Sequence, residues 1–521
     1  MTITDNNFFV MKMGFKSKLL NLKDGAVNSM IYNTYYNSDL DNDLIYLESR
    51  DGLDFTGNIF RIVEELSTGK YGDFKVHVHA KPHVADKIRA FQKNYSLKID
   101  KIITKEAVAT KTLEKAKYIF TDSGIRPKYV KRQGQIFVNT WHGTPLKVMG
   151  RDNVAEQHRV GNVQHPLLSS DYLLYPNDYM MDKMLNAYMI EKIYPGKILL
   201  EGYPRNSVFF TKSQLKSDLD LNDYEIFVYM PTFRGIFMDR NDEGQRDEVE
   251  KYLNEIDSRL SENQILFVKL HVLNASQIDF SKFDHIRAFP KDYEVYDVLN
   301  MADVLITDYS SVFFDFANTK RKIILFSYDE SDYESYRGFY FPLEDLPFPK
   351  VTNVDDLVRE LNSDKDYDDS EFIDKFCQYD NPDAVENILR TIIKGENSSI
   401  VKHVSGDNRR LLIYAGNLND SLIDKLNQID VDGFDSFLTY KQWDDNISNN
   451  HERIFKLIPE SIEILPFRFD LTPSLFEKKN SKALLKRSFE KQFPDVHFDE
   501  FIDLTDGSDE ISQMFNIIKK K

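Results

Sequence analysis

Cysteine is nearly absent from this 521-residue sequence, in which Cys377 stands alone. A disulfide framework or a thiolate metal site within one chain is therefore excluded, and a reducing, intracellular setting is expected. Long apolar runs are also missing: no window of about 18 apolar residues occurs, so no membrane-spanning helix is predicted. The N-terminus has no basic start followed by an apolar stretch, so we expect no secretory signal peptide.

An excess of positive charge is lacking too, because the formal net charge is −17. This balance argues against general nucleic-acid binding, and no nucleic-acid partner is expected. Residues 75–132 are the exception, since they carry 15 Lys and Arg residues against 5 Asp and Glu residues. This basic segment is either a solvated helical face or a surface turned toward anionic lipid headgroups or a polyanionic acceptor.

Short apolar runs alternate with helical stretches along the chain, which predicts parallel α/β sheets. One series of predicted strands runs from "DLIYLES" to "YLLYPND", and a second runs from "KILLEGYPR" to "KIILFSYD". The stretch "NIFRIVEELSTG" is predicted to form a helix with Asn58 as its N-cap and Gly69 near its end. A closing helix is predicted over 380–395, with Pro382 near its start and Gly395 after it.

The two series predict an α/β fold with two Rossmann-like domains that face a cleft, followed by a small α/β module. The predicted units are an N-terminal extension (1–40), a first domain (41–195), a second domain (196–395), a linker (396–410) and an accessory module (411–521).

Polar residues capable of chemistry follow three strands of the second series. They are Thr232 and Arg234 after "IFVYMP", His271 after "ILFVKL", and Asp308, Ser310 and Ser311 after "DVLIT". Ligands of open α/β sheets bind beyond the carboxyl ends of the strands. The two serines stand where a helix begins and its free N–H groups favour a phosphate. Arginine suits a phosphate oxygen, and histidine can donate a proton to a leaving phosphate.

Each of these residues also has a plain structural interpretation: a helix cap, a surface salt bridge or a core histidine. Their occurrence together at neighbouring strand ends predicts a phosphate-bearing ligand.

The first series contributes "IFVNTWHGTPLK", in which a strand ends at Trp141, His142 and Gly143. His142 is a candidate general base for a hydroxyl nucleophile because its pKa is ordinarily near neutrality. Gly143 permits a close approach of backbone to ligand. The alternative is a structural histidine beside a packed tryptophan. His77 and His79 alternate along one strand and are interpreted as structural rather than as zinc ligands.

The motifs "NTWHGTPLK", "GYPRN", "PTFRG", "VKLH" and "LITDYSSVFFDFA", in this order and spacing, closely resemble the CDP-glycerol glycerophosphotransferases. This family contains teichoic acid primases and polymerases and has relatives in capsule synthesis. The resemblance covers about residues 45–395. It implies a GT-B fold and transfer of glycerol phosphate, or a related polyol phosphate, from CDP-glycerol or CDP-ribitol to a hydroxyl of a lipid-linked acceptor, with release of CMP.

The resemblance also implies residue roles and a location. His142 would be the catalytic base, and His271 would handle the donor pyrophosphate. The residues in motifs that would surround the donor phosphates are Thr232, Arg234, Asp308, Ser310 and Ser311. Since no strand is followed by a DxD pair, metal-independent transfer without a cofactor is expected, with protein donors meeting the charge on CMP. Peripheral attachment to the inner face of the cytoplasmic membrane would give the basic segment a role.

The sequence departs from the family pattern at Ser207, at Val272 and in "YDNPDAVEN" (379–387), near the hinge. The accessory module resembles the start of a nucleotide-sugar transferase domain but lacks a glycine-rich turn in "AGNLND", so a docking or dimerisation role is inferred and a homo-oligomer is an open option. Two other functions stay open. One is a GT-B enzyme that transfers or epimerises a nucleotide sugar, and the other is a non-catalytic, membrane-docked assembly protein.

Overall fold

A computed structural model describes most of the chain. The described residues are 27–36, 38–126, 129–154, 156–232, 242–270, 278–330, 333, 338–416, 418–441, 450–467, 473, 477, 479–505, 507, 512 and 513. Residues 27–35 are helical and precede the first strand.

Strands and helices alternate through the described part of the chain. The strands are β1 Asp41–Glu48, β2 Lys75–His79, β3 Lys101–Ile103, β4 Ala116–Thr121, β5 Ile136–Asn139, β6 Tyr172–Tyr175, β7 Lys197–Leu200, β8 Glu225–Met230, β9 Gln264–Val268, β10 Ile286–Ala288, β11 Val304–Thr307, β12 Lys322–Phe326, β13 Lys350–Val351, β14 Ile400–Lys402, β15 Arg409–Tyr414, β16 Phe434–Thr439, β17 Ile462–Ile464 and β18 Glu500–Asp503. The helices are α1 Gly57–Ser67, α2 Ala85–Asn94, α3 Glu106–Lys115, α4 Val160–Ser169, α5 Asp178–Ala187, α6 Leu215–Asp218, α7 Asp242–Asp257, α8 Val295–Met301, α9 Val312–Phe316, α10 Val354–Leu361, α11 Ser370–Phe376, α12 Ala384–Leu389, α13 Asp420–Leu426, α14 Asn450–Phe455 and α15 Ser481–Gln492.

The strands form three sheets, which confirms the predicted α/β class. The first sheet has the order β14-β7-β6-β5-β4-β1-β2-β3, and the second has the order β10-β9-β8-β11-β12-β13. The third sheet has the order β17-β16-β15-β18. All described pairings are parallel except that of β14 with β7. Helices cover both faces of such sheets, so the strands are short apolar runs with almost every residue buried; β9 and β12 are buried throughout.

The domain boundaries predicted from the sequence need correction on both sides of the second sheet. Strand β7, predicted to open the second domain, pairs with β6 in the first sheet. Strand β14 lies inside the predicted linker 396–410 but pairs with β7 at the edge of the same sheet. The closing helix α12 also returns to the first domain, where its apolar side chains join the core of the first sheet. A buried parallel strand looks alike in either sheet, so its sequence does not reveal which sheet it joins.

The predicted start of α1 was wrong by two residues. Thr56 is the N-cap residue, and Asn58 lies in the first turn. Asn58 instead turns its amide toward Thr140 Oγ1 and the Trp141 carbonyl, 3.2 Å from each. The cap comes from the second domain, because Glu294 Oε1 accepts hydrogen bonds from Thr56 Oγ1 at 2.6 Å and from the amide of the next residue at 2.9 Å. A carboxylate at a helix N-terminus is favourable in the helix dipole field.

The accessory module packs against the first domain. One apolar core contains residues of both, including Ile45 and Leu412. Buried Gln164 of α4 donates to the carbonyls of Tyr188 and Ile464 at 2.8 Å each, which joins the first domain to β17. The module therefore packs within its own chain, and dimerisation through it stays a prediction.

Candidate active site

The end of β5 places His142 at the edge of the first sheet. Nδ1 of His142 lies 2.7 Å from the carbonyl oxygen of Asp122, at the end of β4. A carbonyl only accepts hydrogen bonds, so Nδ1 carries the proton and Nε2 keeps its lone pair. Nε2 makes no hydrogen bond with a described residue, and the side chain is half-buried. This is the tautomer that a general base requires.

The backbone around His142 is tightly held. Trp141 has a φ of +52°, which is rare for a bulky side chain, and its amide donates to Asn139 Oδ1 at 2.9 Å. The indole ring stacks on the His142 ring with centroids 4.6 Å apart. The alternative drawn from the sequence, a histidine packed beside a tryptophan, thus describes the surroundings of the His142 ring correctly. Such packing fixes the orientation of the imidazole without using Nε2.

Gly143 brings the first domain against the second. A Cβ atom at this position would lie 2.7 Å from Ser311 Oγ and 3.4 Å from Ser311 Cβ. Ser311 is the N-cap residue of α9, as the sequence predicted, and Ser310 Oγ lies 3.5 Å from the Val312 amide. The end of the "WHG" motif and the start of the helix after "DYSS" are therefore in contact. The group that approaches the Gly143 backbone is a serine side chain of the facing domain.

Thr232 and Asp308 are bound to each other. The fully buried Asp308 carboxylate accepts from the Thr232 amide at 2.9 and 3.0 Å and from Thr232 Oγ1 at 2.7 Å. Asp308 Oδ1 also accepts from the Tyr309 amide at 2.5 Å. Asp308 thus ties the end of β8 to the end of β11.

Arg205, in the "GYPRN" motif, is a site residue for which the sequence suggested no role. Its Nη1 donates to the His142 carbonyl at 2.9 Å, and its Nη2 donates to both oxygens of Asp315 at 2.8 and 3.1 Å. Both charged side chains are buried, and Tyr296 Oη donates to the same carboxylate at 2.9 Å. Arg205 thereby fixes the strand tip carrying His142 to helix α9 of the second domain. The "GYPRN" motif was the only feature of the sequence that could have indicated Arg205 as a site residue.

Two further cationic residues follow strands of the two sheets, and the sequence analysis assigned no role to either. Arg50, which follows β1, is exposed. Lys269, which follows β9, lies near Asp54 of the first domain and makes no ion pair with a described residue. Burial, together with the charges of Lys87 and Arg50, lowers the pKa of Lys269. Unpaired positive charge between the two domains suits an anionic ligand.

The protonation of His142 reflects these neighbours. Burial is the main cause that lowers the pKa of His142 to about 4, and the charges of Arg50 and Arg205 act in the same direction. The hydrogen bond to the Asp122 carbonyl opposes them. Neutral His142 is therefore the form present near pH 7.

Arg234 and His271 lie outside the described residues, and their predicted roles stay predictions. Within the described ranges, no group of three or more His, Cys, Asp or Glu side chains has an arrangement that could hold a metal ion. No described helix is long and apolar enough to cross a membrane.

A family model described as CDP-Glycerol:Poly(glycerophosphate) glycerophosphotransferase matches residues 30–394. The chain belongs to this family. The glycerophosphotransferase match extends over both Rossmann-like domains and ends at the closing helix, which confirms the resemblance drawn from the motifs.

Named relatives of this glycerophosphotransferase family member are teichoic acid enzymes. The chain is 30% identical over 311 residues to the teichoic acid poly(glycerol phosphate) polymerase of Bacillus subtilis (strain 168), which covers 54% of this chain and 40% of that protein. It is 25% identical over 358 residues to the teichoic acid glycerol-phosphate primase of the same strain, covering 65% of this chain and 90% of the primase. The chain thus spans less than half of that polymerase but most of the primase.

Among solved structures, the wall teichoic acid polymerase TagF matches with a TM-score of 0.60 at 23% identity. The match covers 76% of this chain and 98% of that chain. At this level of identity the similarity concerns the fold, and it confirms the predicted GT-B arrangement.

Proposed function

We propose that this protein transfers glycerol phosphate, or a related polyol phosphate, from a CDP-activated donor to a hydroxyl of a lipid-linked acceptor and releases CMP. The single observation that carries the proposal, within this family, is the geometry of His142. Its Nδ1 is engaged by the Asp122 carbonyl at 2.7 Å, and its Nε2 is left to accept a proton beside the Ser311 helix start.

In the proposed reaction, the acceptor oxygen attacks the phosphorus that carries the polyol. Nε2 of His142 takes the hydroxyl proton as the new P–O bond forms, and the anhydride bond to CMP breaks. A neighbouring anion raises the pKa of a histidine, so the donor pyrophosphate makes His142 a stronger base than it is in the free protein. The base would then act best when the donor is bound.

Charge on the donor would be met by groups from both domains. Ser310 and Ser311 would donate from the start of α9, and Arg234 and His271 would act as their motifs imply. We add Lys269 to this set because it follows β9 and lies near Asp54 of the first domain. Preorganised donors of this kind stabilise the charge that develops on a leaving phosphate. Transfer without a metal ion remains part of the proposal.

We further propose that the protein works at the inner face of the cell membrane as a peripheral protein. Support comes from five lysines of the basic segment whose side chains are exposed and make no ion pair with a described residue. They are Lys93, Lys98, Lys101, Lys105 and Lys111. Exposed lysines attract anionic lipids at about 1 kcal/mol for each residue near the membrane surface.

The reaction is tested by measuring CMP release with CDP-glycerol, CDP-ribitol and UDP-sugars in the presence of a lipid-linked acceptor. Release of CMP from a CDP-polyol is expected, whereas turnover of a UDP-sugar alone would overturn the proposal. His142→Ala should lower kcat by about 10²- to 10⁴-fold, as expected for loss of a general base. His403→Ala, at an exposed site, is the matched control and should retain full activity.

A further inference from the structure

A cavity of about 360 Å³ lies at the carboxyl edge of the first sheet. Strands β2 and β3 lie on one side of β1, and β4 to β7 lie on its other side. The strand order therefore reverses between β1 and β4. Open α/β sheets bind ligands at such a reversal of strand order. The cavity is lined by Glu48 at the end of β1, His79 at the end of β2 and Arg126 after β4. Its volume is typical of small-molecule sites, about 300–1,000 Å³.

The inner wall of this cavity is a buried charged cluster. Arg126 Nη2 lies 2.9 Å from His79 Nε2, and since a guanidinium only donates, Nε2 is the acceptor. Nδ1 of His79 then carries the proton and faces Glu48 Oε2 at 3.2 Å. Burial alone would raise the pKa of Glu48, but the contact with His79 and the charge of Arg126 hold it below its ordinary value. The reaction proposed above uses none of these groups.

Charges on the cavity wall are balanced. The carboxylates are those of Glu48, Asp51 and Glu106, and the cations are those of Lys81, Arg126 and Lys491. A hydroxyl group both donates and accepts, so interleaved carboxylates and cations suit a ligand rich in hydroxyls.

The accessory module completes this cavity. Lys491 and Gln492, at the end of α15, form part of the lining, together with Asn162 of α4. The module thus supplies polar groups to a site of the first domain, although its own sequence shows no catalytic motif.

One short loop separates the cavity from His142. Asp51 lines the cavity, while the Arg50 amide donates at 2.7 Å to Asp122, the residue whose carbonyl holds His142. Three successive residues of this loop, Arg50, Asp51 and Gly52, have φ values of +47°, +55° and +78°. Left-handed conformations in non-glycine residues store strain and gather at functional sites.

We propose that this cavity binds a hydroxyl-rich unit of the acceptor, a polyol phosphate or a sugar, next to the hydroxyl that His142 deprotonates. The identity of the ligand as an acceptor rests on the proposed function, whereas binding of the hydroxyl-rich unit does not.

Calorimetric titration of the full chain tests the proposal with two probes, a synthetic three-unit glycerol phosphate oligomer and a neutral N-acetylhexosamine disaccharide. At least one probe should bind the unmodified chain and His142→Ala with the same Kd. Lys81→Ala and Glu106→Gln should each weaken it by about tenfold, the effect of a lost hydrogen bond to a charged group, and Asn162→Ala should weaken it by about threefold, the effect of a lost neutral hydrogen bond. The matched controls in the second domain are Lys251→Ala, Glu262→Gln and Asn263→Ala, which replace exposed residues.

Hydrogen exchange locates the bound probe. Protection is expected in peptides from α4 and from the end of α15. Absence of binding by both probes, equal Kd values for the cavity variants and the controls, or protection confined to residues 136–145 would each overturn the proposal. Binding as expected, in a chain that releases no CMP from any CDP-polyol, would support the cavity and overturn the proposed function.

Discussion

Neutral His142 is the form that accepts a proton, so activity should fall as the pH drops through its pKa. In the free protein this pKa is about 4, chiefly because of burial and then of Arg50 and Arg205. A bound donor pyrophosphate places negative charge nearby and raises it. The acid limb of kcat, which reports the complex, should therefore lie at higher pH than the acid limb of kcat/KM, which reports the free enzyme.

Rate profiles measured between about pH 3 and 8, with saturating and with limiting donor, check this expectation. This range includes both the pKa of about 4 in the free protein and the ordinary His pKa of about 6.5. The residual activity of His142→Gln should show neither limb. Coincident limbs, or a limb that persists in His142→Gln, would contradict the assignment of the base.

Arg205 is expected to be a positioning residue, so its replacement should lower both the stability of the protein and the reaction rate. Arg205→Ala leaves the buried Asp315 carboxylate without its counterion, which should cost about 3–5 kcal/mol in the free energy of unfolding. Asp315→Asn in the same chain should recover part of this loss. Urea unfolding measures both.

Arg259→Ala provides the control for this comparison. Arg259 pairs with Glu255 on the surface at 2.9 Å, so its replacement should cost about 1 kcal/mol or less. An equal cost at Arg205 and Arg259, or no recovery with Asp315→Asn, would refute the role given to the buried pair.

Sequence reasoning found His142 but not Arg205, and the difference is one of distance along the chain. His142 follows a strand directly, so its place at a sheet edge can be inferred locally. The partners of Arg205 lie 63 and 110 residues away. An arginine with distant partners looks the same in the sequence as a solvated one.

At the scale of elements, the contact between the end of β5 and the start of α9 can be tested by a double-mutant cycle. Gly143→Ala places a methyl group 2.7 Å from Ser311 Oγ, and such overpacking costs about 1–3 kcal/mol. Ser311→Ala removes that oxygen and should reduce the cost, which would appear as a coupling of about 0.5–3 kcal/mol in unfolding experiments.

Ser310→Ala is the matched control for this cycle, because no Ser310 atom is among the near neighbours of a Cβ at position 143. Equal coupling with Ser310 and Ser311 would show that the two elements do not meet as described.

The elements themselves were largely predictable, since buried strands appear as short apolar runs between turns. What failed was their assignment to sheets. Strand β7 was assigned to the start of the second series, and only its pairing with β6 shows that it belongs to the first sheet. The start of α1 was misplaced for a related reason, because Glu294 of another domain supplies the cap.

At the scale of the whole molecule, the basic segment should control attachment to anionic membranes. Replacing the five exposed lysines at 93, 98, 101, 105 and 111 by glutamine should lower binding to phosphatidylserine vesicles by roughly 5 × 10³-fold, at about 1 kcal/mol per lysine. Cosedimentation of the full chain with vesicles measures the change, and added salt should weaken binding of the unmodified chain.

A control chain carries the same replacement at five exposed lysines elsewhere. These are Lys212, Lys251, Lys291, Lys320 and Lys482. If the control loses as much vesicle binding as the test chain, the attraction follows total charge, and the basic segment has no special role.

The sequence by itself determined the α/β class, the order of strands and helices, the family and the histidine at the end of β5, because each follows from local periodicity or a contiguous motif. Only the tertiary structure decided that β7 and β14 belong to the first sheet, that Arg205 joins His142 to Asp315, and that Ser311 rests against Gly143. These features depend on backbone pairing, buried charge and close packing between residues far apart in the chain. No local pattern records such contacts.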